Sequence, residues 1–394
     1  MKNELYAQLD LTKAIIVKSD DLKPLSDTEI CRHLDSFTVV PDNCLIIIND
    51  HYRSTPTNRI IKLLRKTGKI ISPVTFIIAT GSHKPPTLEV ASKLCSAISR
   101  DTILCHDINS VKNYLNCGIT SRGTEVFVNP IINKFETIIT IGSVEPHYFA
   151  GFTGGAKSIV PGIASLETIV NNHRWAMTPD SALMKTTGNP VFEDIWESAN
   201  LVVPLNSIDS IQIVNHGNDI YDASVGKLPE AFECARQKSM EIYGKNLKEK
   251  VDVVISCVSS PLDENLYQAQ KAIENCKNII KEGGSLLLVA KCQEGVGSKN
   301  FFDRLNDLGS AENIMNTLNF ENYKFGDHKA YKFAETTKTI TIYYYGDLDT
   351  ETASKAYMNK ITLEELKENY NKWITTAKTV VLDDAGGINA FYIE

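Results

Sequence analysis

Short, unbroken apolar runs recur through this sequence, each ending on a polar or glycine-bearing turn. Leu45-Ile46-Ile47-Ile48 stops at Asn49-Asp50, Val74 to Ala79 leads into Thr80-Gly81-Ser82-His83, and Phe135 to Ile141 feeds a glycine-rich stretch. A continuous run of this length suits a strand buried on both faces, as in a parallel sheet. Between the runs, Arg59 to Lys66 carries apolar residues at helical spacing and stops at Gly68. A further helix is predicted around Leu88 to Ser99, and a short strand near Ile103. Strands alternating with helices predict an α/β fold. Open sheets of that class bind ligands beyond the carboxyl ends of their strands. Asp50 with Arg53, then His83, then His147 each follow a different predicted strand, so three strands would deliver polar groups to one crevice. Taken singly, each has a plainer use: Asp50 as a turn or helix cap, Arg53 as a solvated charge, His83 as a loop residue. Their shared position beyond strand ends favours the functional reading.

The stretch Gly142 to Arg174 has the composition of a shaped binding loop, with two histidines, one lysine, five glycines and two prolines. Gly151, Gly154 and Gly155 permit positive φ and close approach of backbone to a ligand, and Pro161-Gly162 reads as a turn. A phosphate-cradling P-loop is not matched. Ala156 stands where that motif has the glycine before its lysine, and Pro146 and His147 intervene after the strand. A lysine beside glycines, flanked by His147 and His173, suits a covalently attached or metal-bearing group.

The full pattern is His147, Ala150-Gly151-Phe152, Thr153, Gly154-Gly155, Lys157, Pro161-Gly162 and Asn172-His173. It resembles the nickel-dependent lactate racemase family. Asp50-x-x-Arg53, His83 in a Gly-x-His-Lys-Pro context, and Leu266-Tyr267-Gln268-Ala269-Gln270-Lys271 match that family as well. The resemblance implies two α/β domains with an active-site cleft between them. It implies a racemase or epimerase that inverts C2 of a 2-hydroxy acid, lactate or a related 2-hydroxycarboxylate. The reaction would be reversible hydride transfer to a nickel-pincer nucleotide, a pyridinium-3-thioamide-5-thiocarboxylic acid mononucleotide tethered to Lys157. By residue match, His173 is the nickel ligand and His83 and His147 are the acid/base pair. Asp50 would hold ribose hydroxyls, with the Gly154-Gly155 backbone near the nucleotide. Arg53 would orient the substrate or polarise its oxygen, and Tyr267, Gln268 and Lys271 would face the site from the second domain. A carbon acid beside an ionised carboxylate is very weak, so moving a hydride through a planar keto acid avoids the carbanion, and an acid/base on each face then suffices. Histidine fits that role because its unperturbed pKa of about 6.5 allows either form near neutrality. Phe149, beside His147, is a candidate for lining the substrate's side-chain pocket.

Near residue 245 the character changes. Tyr243 to Lys250 reads as a linker, and a fresh strand, Val251 to Cys257, opens a second alternation. A helix over Asn265 to Lys281, strands Ser285 to Ala290 and Thr339 to Tyr345, and a helix from Thr362 follow. Thr362-x-x-Glu365 is a capping-box signature. The expected organisation is an N-terminal cofactor-binding α/β domain over 1–246 and a smaller C-terminal α/β domain over 247–378. The resemblance further implies that 379–394 rejoins the first domain.

Composition narrows the partners. The chain has 394 residues, of which 43% are apolar, enough for large buried cores. Its net charge of −7, with no basic run, speaks against nucleic acid. The charged first residues lack a signal-peptide core, and no apolar stretch approaches membrane-spanning length, so a cytoplasmic protein with no membrane partner is expected. The nine scattered cysteines never fall as C-x-x-C and fit reduced thiols. No H-E-x-x-H supports a zinc hydrolase, and His33, His51, His106, His216 and His328 have no partner spacing. The resemblance implies a small hydroxycarboxylate substrate and separate cofactor-synthesis proteins as partners. Two other readings stay open: a non-catalytic member that stores or senses the cofactor, and a nucleotide-dependent transferase using the glycine-rich loop.

Overall fold

The computed structural model describes residues 6–18, 22–96, 98–387 and 389–392. They form two compact units, one within 21–241 and the other joining the described residues of 1–20 to those of 242–394.

The first unit is built on a six-stranded sheet. Its order is Asp219–Lys227, Asp209–His216, Thr137–Ser143, Cys44–Asn49, Thr75–Ala79, Thr102–Cys105. The last five are parallel, and the first two form an antiparallel hairpin. The apolar run of Cys44–Asn49 follows from burial of both faces. Ile46 and Ile48 pack with Ile60, Ile61 and Leu64 of the helix Thr57–Lys66, while Leu45 and Ile47 pack with Ile159 and Ile163 on the other side. Successive strand residues point to opposite faces, so covering both faces requires every residue to be apolar. The chain lays Thr75–Ala79 and Thr102–Cys105 on one side of Cys44–Asn49, then returns to place Thr137–Ser143 on the other. That reversal makes the carboxyl ends of Cys44–Asn49 and Thr137–Ser143 the topological switch point, where a crevice opens. The helix expected around Leu88 to Ser99 ends sooner, as Leu88–Cys95, because Ser96 turns left-handed at φ 41°.

The second unit holds six parallel strands. Their order is Ile15–Val17, Thr379–Leu382, Val251–Cys257, Ile280–Val289, Thr341–Tyr345, Met358–Lys360. The helix from Thr362 is present as Leu363–Thr376, with its reciprocal Thr362–Glu365 capping box. Other expectations are corrected here. Thr379–Leu382 does not return to the first unit. It is an interior strand of this sheet, with Val380, Val381 and Leu382 fully buried, and Ala385 N donates to Cys257 O beyond it. An interior strand needs a neighbour on each edge for its backbone groups, and Ile15–Val17 and Val251–Cys257 supply them. The described residues of 1–20 therefore belong to this unit as well, rather than to a domain over 1–246. The expected linker contains a strand, Gly244–Leu247, paired in parallel with Asn389–Tyr392. The helix expected over Asn265 to Lys281 is Leu266–Glu274, and the strand expected from Ser285 already begins at Ile280. That strand passes through Gly284, where a Cβ would lie 2.7 Å from Asp252 O, so glycine lets the strand continue. Among the described residues no helix is long and apolar enough to cross a membrane. All nine cysteines are free thiols.

Candidate active site

Three loops beyond strand ends build one pocket in the first unit. The loop after Cys44–Asn49 is tied down by a polar chain in which Asn49 Nδ2 donates to Thr55 Oγ1 (2.8 Å), itself 2.7 Å from Ser143 Oγ. This chain links the ends of the two strands at the switch point. Asp50 is nearly buried, at 3% exposure. Its Oδ1 accepts from Tyr52 N (3.2 Å) and its Oδ2 lies 2.6 Å from His83 Nδ1. His83 follows Thr75–Ala79 in a turn where its own N donates to Thr80 O. Gly81, at φ 55°, brings its N–H to Gly162 O at 2.9 Å and so joins this loop to the turn after Lys157.

The loop after Thr137–Ser143 folds back on itself, with Pro146–His147 pairing antiparallel to Gly151–Phe152. Gly151 adopts φ 71°, and a Cβ there would sit 2.1 Å from Lys185 O, so both conformation and space demand glycine. Thr153 Oγ1 donates to Ser143 O and accepts from Glu145 N, which closes the loop base. His147 Nδ1 accepts from Ala150 N at 3.3 Å, and its ring stacks on Tyr148 and meets Phe149 edge-on. Phe149 is buried against the rings of His147 and His173, so it supports those rings instead of lining the pocket.

Lys157 sits in the short helical turn Gly155–Ser158. Burial, and then the charge of Arg53, hold its amine well below the ordinary lysine range. His173 ends the helix Leu166–His173, and burial, reinforced by Lys157, pushes its imidazole down to about 3. The neighbouring Asn172 anchors that helix end by donating to the fully buried Asp194 at 2.8 Å.

Asp50, Arg53, His83, His147, Gly154, Lys157 and His173 all line this pocket, which holds about 740 Å³ of empty space, open solvent included. Gly155 does not line it. A Cβ at Gly155 would meet Phe232 at 2.7 Å and Trp196 at 3.0 Å, so this glycine answers to packing. Tyr267, Gln268 and Lys271 lie in the second unit on the helix Leu266–Glu274. There Gln268 is exposed, and Tyr267 is covered by Lys329, whose Nζ lies 3.3 Å from the ring centroid. Burial pushes the Lys329 amine down to about 7. Sequence reasoning assigned no role to Asn49, Thr80, Ser82, Thr153 or Ser158, which also line the pocket. Each sits inside or beside a motif already singled out, and that adjacency was the available signal. Ser158 Oγ is buried with no hydrogen-bond partner among the described residues. Among the described residues no three His, Cys, Asp or Glu side chains gather as a metal site.

Comparison with known proteins gives concordant matches. The family model "Lactate racemase N-terminal domain" matches residues 19–184, and "Lactate racemase C-terminal domain" matches residues 246–332. A lactate racemase from Thermoanaerobacterium thermosaccharolyticum is 30% identical over 287 residues, covering 70% of this chain and 66% of that relative, just under two thirds of its length. A lactate racemase from Lactiplantibacillus plantarum is 27% identical over 362 residues, covering 88% and 84%. Among solved structures, the lactate racemase apoprotein from T. thermosaccharolyticum aligns with a TM-score of 0.83 at 23% identity, over 98% of this chain and 96% of that one. A Thermotoga maritima protein aligns with a TM-score of 0.72 at 14% identity, over 95% and 100%. At these identities the structural likenesses establish the fold.

Proposed function

Because the chain belongs to the lactate racemase family, we propose that it is a racemase inverting C2 of a small 2-hydroxycarboxylate such as lactate. One arrangement carries the reading. Two histidines from different strand ends, His83 and His147, line the same pocket as the amine of Lys157, which burial disposes to be neutral.

The residues present fit a nickel-pincer nucleotide. A neutral amine is a nucleophile, so Lys157 can take a covalent link. Ser158 Oγ offers the pocket a buried polar group that no described residue hydrogen-bonds. A neutral His173 is the form of imidazole that binds nickel, whose remaining donors would come from the nucleotide. Lys157 and His173 would therefore hold the group, with Gly154 and Asp50 beside it. When bound, it would supply hydride-acceptor chemistry for C2.

The chain's own side chains do the rest. Arg53 presents a planar fork suited to gripping the substrate carboxylate or its hydroxyl oxygen. His83 and His147 hold and return the hydroxyl proton. Thr80, Ser82 and Thr153 give the pocket further polar lining. Cofactor-synthesis proteins are the partners this reading requires.

The test is to produce the chain alongside such proteins, look by peptide mass spectrometry for a sulfur-containing nucleotide on the Lys157 peptide, assay nickel, and follow D/L interconversion across a panel of hydroxy acids. An adduct, bound nickel and interconversion are expected. Folded protein that takes up no adduct while a known acceptor loads, or that binds magnesium-ATP instead, would overturn the reading.

A further inference from the structure

Gly142 leaves a gap in the sheet between two amide side chains. It lies in Thr137–Ser143, where its register partner on Asp209–His216 is Gln212. On the other side, Asn49 follows Ile48, the partner of Ile141, at the end of Cys44–Asn49. Residues two apart along a strand share a face. Asn49, Gly142 and Gln212 therefore stand in a row on the face covered by Ala156 and Ile159, opposite Ile48, Ile141, Ile211 and Ile213. A Cβ at Gly142 would meet Asn49 Oδ1 at 3.5 Å, Ser158 Oγ at 3.7 Å and Gln212 Oε1 at 3.8 Å, and these three oxygens are its nearest neighbours. Gly142, Ser158 and Gln212 are buried. Gln212 Oε1 is oriented by Gly155 N, which donates to it at 2.8 Å, while Gln212 Nε2 donates to Ser210 Oγ and Asn49 Nδ2 to Thr55 Oγ1. Ser158 Oγ has no hydrogen-bond partner among the described residues.

We propose that these three oxygens form a binding site for one water molecule, lodged over Gly142. Water is the group that matches them. The two amide oxygens can only accept, so its O–H bonds go to Asn49 and Gln212, and its own oxygen accepts from the Ser158 hydroxyl. Three hydrogen bonds are the usual number for a buried water. A metal cation suits the oxygens but not the surroundings, because the Arg53 guanidinium lines the same pocket as Asn49 and Ser158. The water completes a clamp. Gln212 holds the Gly155 end of the turn Gly155–Ser158 directly, and the water joins the Ser158 end to Gln212 and Asn49. The turn bearing Lys157 is thereby fixed at both ends, and the Ser158 oxygen keeps its lone pairs for a group in the pocket. The site goes beyond the racemase reading and does not rest on it.

The test is the sign of a stability change in the cofactor-free protein. Gly142 lies in a strand with no left-handed φ, and an added Cβ meets its neighbours at ordinary contact distances, so alanine fits there. Over a dry gap, Gly142→Ala would raise Tm by a few degrees, since alanine loses less backbone freedom than glycine on folding. Displacing a water strands its partners, and Tm should instead fall by at least about 3 °C. Gly142→Ser, which returns an O–H to the gap, should stand above Gly142→Ala. Ser158→Ala should also lower Tm, because the water loses its donor; without a water, that change removes an unsatisfied buried hydroxyl and raises Tm. Amides of residues 154–158 should exchange hydrogen at least about tenfold faster in Gly142→Ala, with the helix Pro190–Val202 unchanged. A crystal structure of the wild type should show one water within hydrogen-bonding distance of all three oxygens, absent from Gly142→Ala. A Tm that holds or rises in Gly142→Ala or Ser158→Ala, or a wild-type Tm raised by sodium or potassium over choline at equal ionic strength, would overturn the proposal. If Gly142→Ala does not fold, Ser158→Ala and the wild-type crystal structure decide. None of these measurements needs the cofactor, so a failed racemase assay leaves the water site standing, and a dry gap leaves the racemase reading intact.

Discussion

Asp194 is the buried tie that sets the end of the helix bearing His173, and its removal should be among the costliest single changes in the first unit. The carboxylate is fully buried on the helix Pro190–Val202 and accepts from Thr120 Oγ1 (2.6 Å), Thr124 Oγ1 (2.9 Å) and Asn172 Nδ2 (2.8 Å). A hydrogen bond to a charged group contributes about 1.5–3 kcal/mol, and a buried donor left without a partner costs about 1–3 kcal/mol. Three full losses would overstate the effect, because the hydroxyls can rotate and Asn172 Nδ2 keeps a bond to Val191 O at 3.2 Å. Asp194→Ala should therefore destabilise by about 3–5 kcal/mol, a large part of the roughly 5–15 kcal/mol typical of a folded protein. For a unit of this size that lowers Tm by about 10 °C. Asp194→Asn keeps the shape and part of the accepting capacity, and should cost about 1–3 kcal/mol. Urea and thermal unfolding of the cofactor-free protein at pH 7 measure both. A double-mutant cycle with Asn172→Ala should give a coupling of at least about 1 kcal/mol. If Asp194→Ala stays within about 1 kcal/mol of wild type, the carboxylate does not hold these elements and the account of how His173 is positioned is wrong.

Three further outcomes are expected. Lys157 is depressed in the folded protein and ordinary in the unfolded chain, so the unfolded state binds the extra proton and stability rises with pH up to the ordinary lysine range. Lys157→Met should be more stable than cofactor-free wild type at pH 7, with the gap narrowing by pH 10; parallel pH profiles in urea would refute this. Gly151→Ala must place a Cβ 2.1 Å from Lys185 O at φ 71°, and the left-handed backbone plus overpacking should cost about 2–4 kcal/mol by thermal unfolding. Arg53→Lys keeps the charge and loses the planar fork, so kcat/KM should fall about 10- to 100-fold with no change in unfolding midpoint.

Parts of the candidate site were legible in the sequence because their chemistry is local. Histidine, lysine and left-handed glycine are written in consecutive residues, and an unbroken apolar run announces a strand covered on both faces. The capping box at Thr362–Glu365 is likewise a four-residue matter. The position of Asp50, Arg53, His83 and His147 just beyond strand ends could be read as well, since it needs only the order of runs along the chain.

What pairs with what was decided by the folded chain. Thr379–Leu382 reads as a plausible strand anywhere, and only hydrogen bonding to Ile15–Val17 and Val251–Cys257 settles which sheet it enters. Strand neighbours are chosen by contacts hundreds of residues apart, which no local pattern encodes. The same holds within the pocket. Gly155 looks like a ligand-cradling glycine in sequence, and becomes a packing glycine only once Phe232 and Trp196 arrive against it. Asp50 and His83 are 33 positions apart, yet the folded chain brings Asp50 Oδ2 within 2.6 Å of His83 Nδ1. Residue type and spacing thus determined which groups reach the crevice. The state in which each is held depends on through-space partners, and those exist only after the sheet has brought its strand ends together.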